Sequence, residues 1–173
     1  LVEKECGLKR VNDTTFSKKN SSFCVLLQAV PDRFNYPGRY GFNCIIDLVG
    51  LKPETQAVGD IIKMIKQGHH PIGAVDLKEL LGLPPLPFEL KDNNDEQITT
   101  ELRIELTNES VKKWWSIETL KDIDELIHGM YGERIIYGTA VYLALVGDKE
   151  KSGLYFKRLQ NKTEAILKTA ASL

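Results

Sequence analysis

The sequence predicts an α+β fold: a small mixed sheet packed with helices, including a helix–turn–helix pair at about 116–147. Three observations carry this prediction. Residues 22–30 (SFCVLLQAV) and 40–49 (YGFNCIIDLV) are apolar runs rich in β-branched and aromatic residues, bounded by turn formers. In residues 98–107, Ile98, Thr100, Leu102, Ile104 and Leu106 alternate with Thr99, Glu101, Arg103, Glu105 and Thr107, the period of a half-buried strand. Residues 135–146 are almost continuously apolar and follow a charged amphipathic stretch, which reads as a buried helix behind an exposed one.

Taken in order, residues 1–21 are polar and read as a loose basic arm. The two apolar runs can pair as a hairpin across PDRFNYPGR, where Pro31, Pro37 and Gly38 break the strands. Pro53 suits a first helical turn with Glu54 beside it. Val58, Ile61, Ile62 and Ile65 then share a face until Gly68. A short helix, VDLKELL, follows His69-His70-Pro71 and stops at Gly82. The stiff segment Leu83-Pro84-Pro85-Leu86-Pro87-Phe88 and the acidic loop up to Gln97 form the joint between two lobes. The divisions expected are therefore a 1–21 arm, a 22–82 strand/helix lobe, an 83–97 joint and a 98–173 strand–helix–helix lobe. In the last of these Ser116 can cap a helix bearing Leu120, Ile123 and Ile127. The Gly129-x-x-Gly132 turn, read as a tight turn rather than a nucleic-acid clamp loop, leads into the apolar helix closed by Gly147. A short strand at 154–156 and an amphipathic helix at 164–171 complete the chain.

Composition excludes several classes. A chain of 173 residues, 42% hydrophobic and 27% charged, resembles an ordinary globular domain rather than a disordered or collagenous one. The apolar run at 135–146 is far short of the roughly 20 residues a membrane-spanning helix needs. LVEKECGLKR has no apolar core of the kind a signal peptide carries. Cys6, Cys24 and Cys44 are an odd count without a Cys-x-x-Cys, so they are expected to be buried thiols in a reducing compartment. The four Asn-x-Ser/Thr sequons are then chance occurrences. The net charge of -1 conceals a split: residues 1–40 hold seven Lys/Arg against four acids, residues 41–110 six against twelve, and residues 148–173 six against three. Basic ends flank an acidic middle.

A search for chemistry finds no strong catalytic motif, and neither a metal nor a cofactor is expected. Adjacent His69 and His70 point apart and have no third ligand at useful spacing. Asp122, Asp124 and Glu125 occupy the outer face of a predicted helix. On an alternating strand Cys44 shares a face with Ile46 rather than with Asp47, which disfavours it as a nucleophile. The expectation is that the chain is not an enzyme. Lys112-Lys113-Trp114-Trp115 is a basic-aromatic cluster suited to a membrane interface or a protein contact, or else one indole faces the core. The joint, with Pro84, Pro85, Pro87 and Phe88, can dock an aromatic groove on a partner or serve as a rigid connector.

The succession LPPLPF, polar spacer, TTELRIEL, TLKDIDELIHGMYG, ERIIYGTAVYLALVG over residues 83–147 resembles the matrix proteins of rhabdoviruses, and its size suits a short plant-infecting, cytorhabdovirus-like member. Pro84-Pro85-Leu86-Pro87 lacks the tyrosine of that family's Pro-Pro-x-Tyr late domain. The resemblance implies a structural protein that self-associates and bridges and condenses the nucleocapsid against the inner face of the envelope during assembly and budding. Its implied place is the virion beneath the envelope, and host cytoplasm and membranes. Its implied partners are further copies in an open homo-oligomer, the viral nucleocapsid protein and an anionic membrane surface, with no small-molecule substrate. Candidate nucleocapsid or membrane contacts are Lys4, Lys9, Arg10, Lys18 and Lys19 at one end, Lys112, Lys113, Trp114 and Trp115 in the middle, and Lys157, Arg158 and Lys162 at the other end. A basic end meeting an acidic middle on the next copy would build an open lattice. Two readings compete with this one: an adaptor acting through the Pro-rich joint and acidic middle, and a small enzyme using Cys44 or His69-His70.

Overall fold

The computed structural model describes residues 2–35, 37, 40–52, 64–65, 67–91, 94–127 and 132–170. The fold is α+β. Six strands form one sheet in the order β1 (Lys9–Arg10), β2 (Thr15–Lys19), β3 (Phe23–Pro31), β4 (Tyr40–Gly50) and β5 (His70–Asp76), with β6 (Phe88–Leu90) pairing the first residues of β4. Every pairing is antiparallel, where a mixed sheet was expected. The β1–β2, β2–β3 and β3–β4 connections are too short for a parallel crossover, and β5 and β6 also run antiparallel to β4.

The predicted hairpin is present, with Phe23 opposite Gly50 and Pro31 opposite Phe42. Its unbroken apolar character has a direct cause: both faces are buried. Val25, Leu27, Ile46 and Leu48 enter the main core, while Cys24, Leu26 and Val49 form a second cluster with Leu51 and Met64 on the opposite face. Cys44 lies on the main-core face with Ile46, whereas Asp47 lies on the other and accepts a hydrogen bond from Gln28 Nε2.

The loose arm expected over 1–21 is replaced, across residues 2–21, by ordered structure. Helix α1 (Val2–Cys6) leads through Gly7 (φ 66°) into β1 and β2, and Leu8 is buried. Their sequence is polar because β1 and β2 lie at the sheet margin, where charged side chains face water and the backbone ladder to β3 supplies the order. Strand β5 was missing from the sequence reading for a similar reason. It carries Pro71 and only two core side chains, Ile72 and Val75, a pattern an outer strand tolerates. The predicted helix there is confined to α2 (Leu77–Leu80). Asp76 caps it by accepting from the backbone N–H groups of Lys78 (2.9 Å) and Glu79 (3.3 Å). The helix expected to start at Pro53 lies almost wholly outside the described residues. At its end Met64 is buried and Ile65 exposed, so Ile65 does not face the core.

The alternating stretch is a helix, α3 (Asp95–Leu106), and this corrects the strand predicted over 98–107. Ile98, Leu102 and Leu106 alternate, but they are also spaced i, i+4 and i+8, and in the helix all three turn inward. Thr99 and Thr100 donate their hydroxyls to the carbonyls of Asp95 and Glu96, four residues back, as helical threonines can. The cost of the helix is Ile104, left outside. Next comes α4 (Glu109–Trp115), which the sequence reading lacked, started by Asn108 accepting from the Ser110 N–H. Ser116 ends this helix instead of capping the next one. Asp122 opens α5 (Leu120–Leu126) by accepting from the N–H groups of Thr119 (2.7 Å) and Glu118 (3.0 Å).

The predicted apolar helix is α6 (Gly132–Leu145), and Gly147 (φ 89°) terminates it. Of the turn expected at 129–132, only Gly132 is among the described residues, as the first residue of α6. The strand predicted at 154–156 lies inside a single long helix, α7 (Lys149–Ala170). Ser152, Tyr155 and Leu159 recur at helical spacing and face inward, with Ser152 Oγ donating to Ala140 O (2.8 Å). The main core joins side chains from both sides of the Pro-rich joint, from Phe23 and Ile46 to Ile123, Ile136 and Tyr155.

Candidate partner-binding surfaces

The structure separates the sequence-selected residues into buried and available groups. Trp114 and Trp115 are only 2% and 3% exposed, so neither can anchor at a membrane interface. Their neighbours explain it. They sit at the end of α4 against the core, and the Trp115 indole N–H reaches Leu106 O at 3.4 Å. Phe88 is likewise removed from partner docking: it is buried, stacks on Phe42 at 5.3 Å and lies beneath the Lys78 ammonium at 4.1 Å. Pro84 and Pro85 are exposed and Pro87 half-buried, so the joint is a surface segment pinned at its end by Phe88.

The basic candidates also divide. Lys18 Nζ donates to Trp115 O (2.9 Å), tying β2 to α4. Lys112 pairs with Glu109 (2.9 Å), Arg158 with Asp124 (2.5 Å), and Lys162 lies 3.9 Å from Glu133. Arg10 pairs with Asp13. Lys4, Lys9, Lys19, Lys113 and Lys157 are exposed and have no ion-pair partner among the described residues. The sheet margin and α7 therefore present separate sets of cations.

The groups considered for catalysis are packed as structural ones. His69 is buried and its Nδ1 accepts from the Lys52 N–H (2.9 Å), while half-buried His70 has its pKa lowered by desolvation. No group of three His, Cys, Asp or Glu side chains placed to hold a metal occurs among the described residues. Among the described residues, Cys44, Glu105 and Asp76 come together where β4 meets α2 and α3. Burial first, then the charges of Glu105 and Asp76, push the Cys44 thiol up to about 12. Burial likewise raises the Glu105 carboxyl. Such an environment suppresses the thiolate that a nucleophile needs. Burial also pushes Cys6 and Cys24 up to about 11. All three thiols are expected to resist iodoacetamide at pH 8 in the native protein and to react fully in 6 M guanidinium, counted by intact mass. Fast labelling of one thiol without denaturant would contradict this packing.

The surface depressions among the described residues include two beside candidate segments. One, of about 500 Å³, lies under the joint between Leu86, Pro87, Phe88, Ile98 and Glu101. The other, of about 480 Å³, lies between α5 and α7 and is lined by Leu120, Lys121, Asp124, Lys151, Leu154, Tyr155, Lys157, Arg158 and Asn161. No family model, curated protein or solved structure matches the chain.

Sequence reasoning found Lys157 and Arg158 but not Leu120, Lys121, Lys151 or Leu154. Lys151, Leu154, Tyr155 and Arg158 follow helical spacing, a signal hidden by reading 154–156 as a strand. Large apolar side chains left in water concentrate on the last two helices: Tyr137 (55%), Leu145 (65%), Leu154 (57%), Phe156 (42%), Ile166 (53%) and Leu167 (64%). Tyr137 and Phe156 pack edge to face at 6.3 Å across the pair.

Proposed function

We propose that this chain is a non-enzymatic structural protein that assembles with copies of itself, of the matrix type, bridging a nucleocapsid and the inner face of an envelope. The observation that carries the reading is the surface of α6 and α7. Six large apolar side chains remain exposed there among the cations of α7, and apolar surface of this kind marks an interaction site. The counterpart is on the same chain: residues 95–109 hold five acids against one arginine, whereas residues 149–170 hold six Lys/Arg against two acids. Complementary charge on different elements favours copy-to-copy contact and makes it salt-sensitive. With residues 95–106 helical, the rhabdovirus resemblance is carried by the Pro-rich stretch and the α5–α6 pair.

No helix among the described residues is long and apolar enough to cross a membrane. Membrane contact in this reading is peripheral, through exposed lysines such as Lys4, Lys9 and Lys19, each contributing about 1 kcal/mol at an anionic surface. The adaptor reading draws support from the exposure of Leu83, Pro84, Pro85 and Leu86 beside the cleft under the joint.

Sedimentation velocity over a range of protein and salt concentrations tests the choice. Open-ended growth that shrinks with added salt is the expected result. A sharp monomer under every condition would end the assembly reading and favour the adaptor.

A further inference from the structure

The groove between α5 and α7 has an apolar interior and a cationic rim. Leu154 is left 57% exposed beside Leu120, and four cations surround them: Lys121, Lys151, Lys157 and Arg158. Two of the four are committed within the chain. Arg158 holds Asp124, which also accepts from the Tyr155 hydroxyl at 2.7 Å, and Lys151 holds Asp148 at 2.8 Å. Lys121 and Lys157 make no salt bridge among the described residues, although Lys121 lies in the field of neighbouring Asp122. An occupant matched to this groove supplies one aliphatic side chain for Leu154 and carboxylates for the two lysines.

The chain itself carries that combination. Ile104, 67% exposed, is the most exposed large apolar side chain among the described residues. It stands on α3 one turn after Glu101, within the stretch of five acids and one arginine at 95–109. Nothing local accounts for a β-branched aliphatic residue on the wet face of a helix.

We propose that the α5–α7 groove receives α3 of a second copy, with Ile104 seated against Leu120 and Leu154 and Glu101 facing Lys121 or Lys157. This rests on the self-assembly reading and names its contact. The donor and acceptor surfaces are different, so the contact is heterologous: each copy keeps a free groove at one end and a free α3 at the other. Growth is then open-ended unless a rotation closes it into a ring.

The test uses the full-length chain and introduced cysteines, since the three native thiols are buried. Ile104→Cys and Leu154→Cys are purified separately, mixed and oxidised. A disulfide-linked dimer from the mixture is expected, well above that formed by either variant alone or by Ile104→Cys mixed with Leu145→Cys. The double variant Ile104→Cys/Leu154→Cys is expected to yield a covalent ladder. Independently, Lys121→Glu/Lys157→Glu is expected to raise the concentration needed for assembly by about tenfold at low salt. Mixing it with Glu101→Lys should restore association. Ile104, Leu145, Leu154, Lys121 and Lys157 are exposed and Glu101 is half-buried, and circular dichroism melts check that the variants remain folded.

If the native chain assembles but the 104/154 linkage does not form and the lysine variant assembles normally, the groove assignment is wrong while self-assembly stands. If the lysine variant loses only its binding to vesicles containing phosphatidylserine, the groove belongs to a lipid headgroup and the proposal is overturned. A native chain that stays monomeric removes both.

Discussion

Replacing Gly138 with alanine is expected to destabilise the protein by about 3 kcal/mol or to prevent folding, although alanine is the better helix former by about 1 kcal/mol. The reason is where α6 crosses β5. A Cβ at Gly138 would lie 1.9 Å from Ile72 O, 2.6 Å from its carbonyl carbon and 2.7 Å from its Cα. These are backbone atoms, so no rotamer change relieves the overlap. Ile72 sits opposite the irregularity between Leu48 and Val49 in the β4–β5 register. Pushing it away would therefore pull on the ladder that places β5. Gly153 on α7 is the matched control, because a Cβ there meets nothing within 4 Å. Gly153→Ala should stabilise by about 0.5–1 kcal/mol through backbone entropy alone. Urea unfolding followed by circular dichroism reads both variants. Equal stabilisation by the two substitutions would mean that α6 does not approach β5 this closely.

Trp114→Ala is the second large effect, at about 3–5 kcal/mol, because the indole is enclosed among main-core side chains and its removal leaves a large cavity. Against the usual total of about 5–15 kcal/mol, that variant is expected to be partly unfolded at 37 °C. The consequence for function is sharper than the stability loss. The chain has two tryptophans, and both are buried, so native emission should be blue-shifted and should not move when anionic vesicles are added. This holds whether or not the protein binds the vesicles, which flotation measures separately. A vesicle-induced shift would mean that α4 opens and would return the two indoles to the membrane contacts.

The same pair shows why local pattern misjudges a surface. Lys112-Lys113-Trp114-Trp115 reads as a basic-aromatic patch, but a helix sends adjacent pairs to different sides, and α4 turns both lysines outward and both indoles inward. Residues 98–106 hide their structure differently. Ile98, Leu102 and Leu106 satisfy a period of two and a spacing of four together, and only Thr100 and Ile104 tell them apart. Because the helix was preferred, Ile104 was left in water, which makes it a candidate contact. The α5–α7 groove was hidden by a third ambiguity, the apolar Leu154-Tyr155-Phe156, which looks like a strand until Ser152 and Leu159 are seen on the same inward face.

By itself the sequence determined the elements whose pattern has one solution: β3 and β4, apolar enough for burial on both faces, α6, whose apolar run needs a core against most of its length, and the α+β class that follows. It also determined the separation of basic ends from an acidic middle, since charge is written residue by residue. Only the tertiary structure decided the rest. The marginal strands β1 and β2 and the outer strand β5 owe their order to neighbours, not to their own composition. The burial of Trp114, Trp115 and Phe88, and the joining of Leu120 and Lys121 to Leu154 and Lys157, depend on residues distant in sequence. Short-range periodicity reports which side of an element is apolar, but what packs there is settled by contacts that no local window contains.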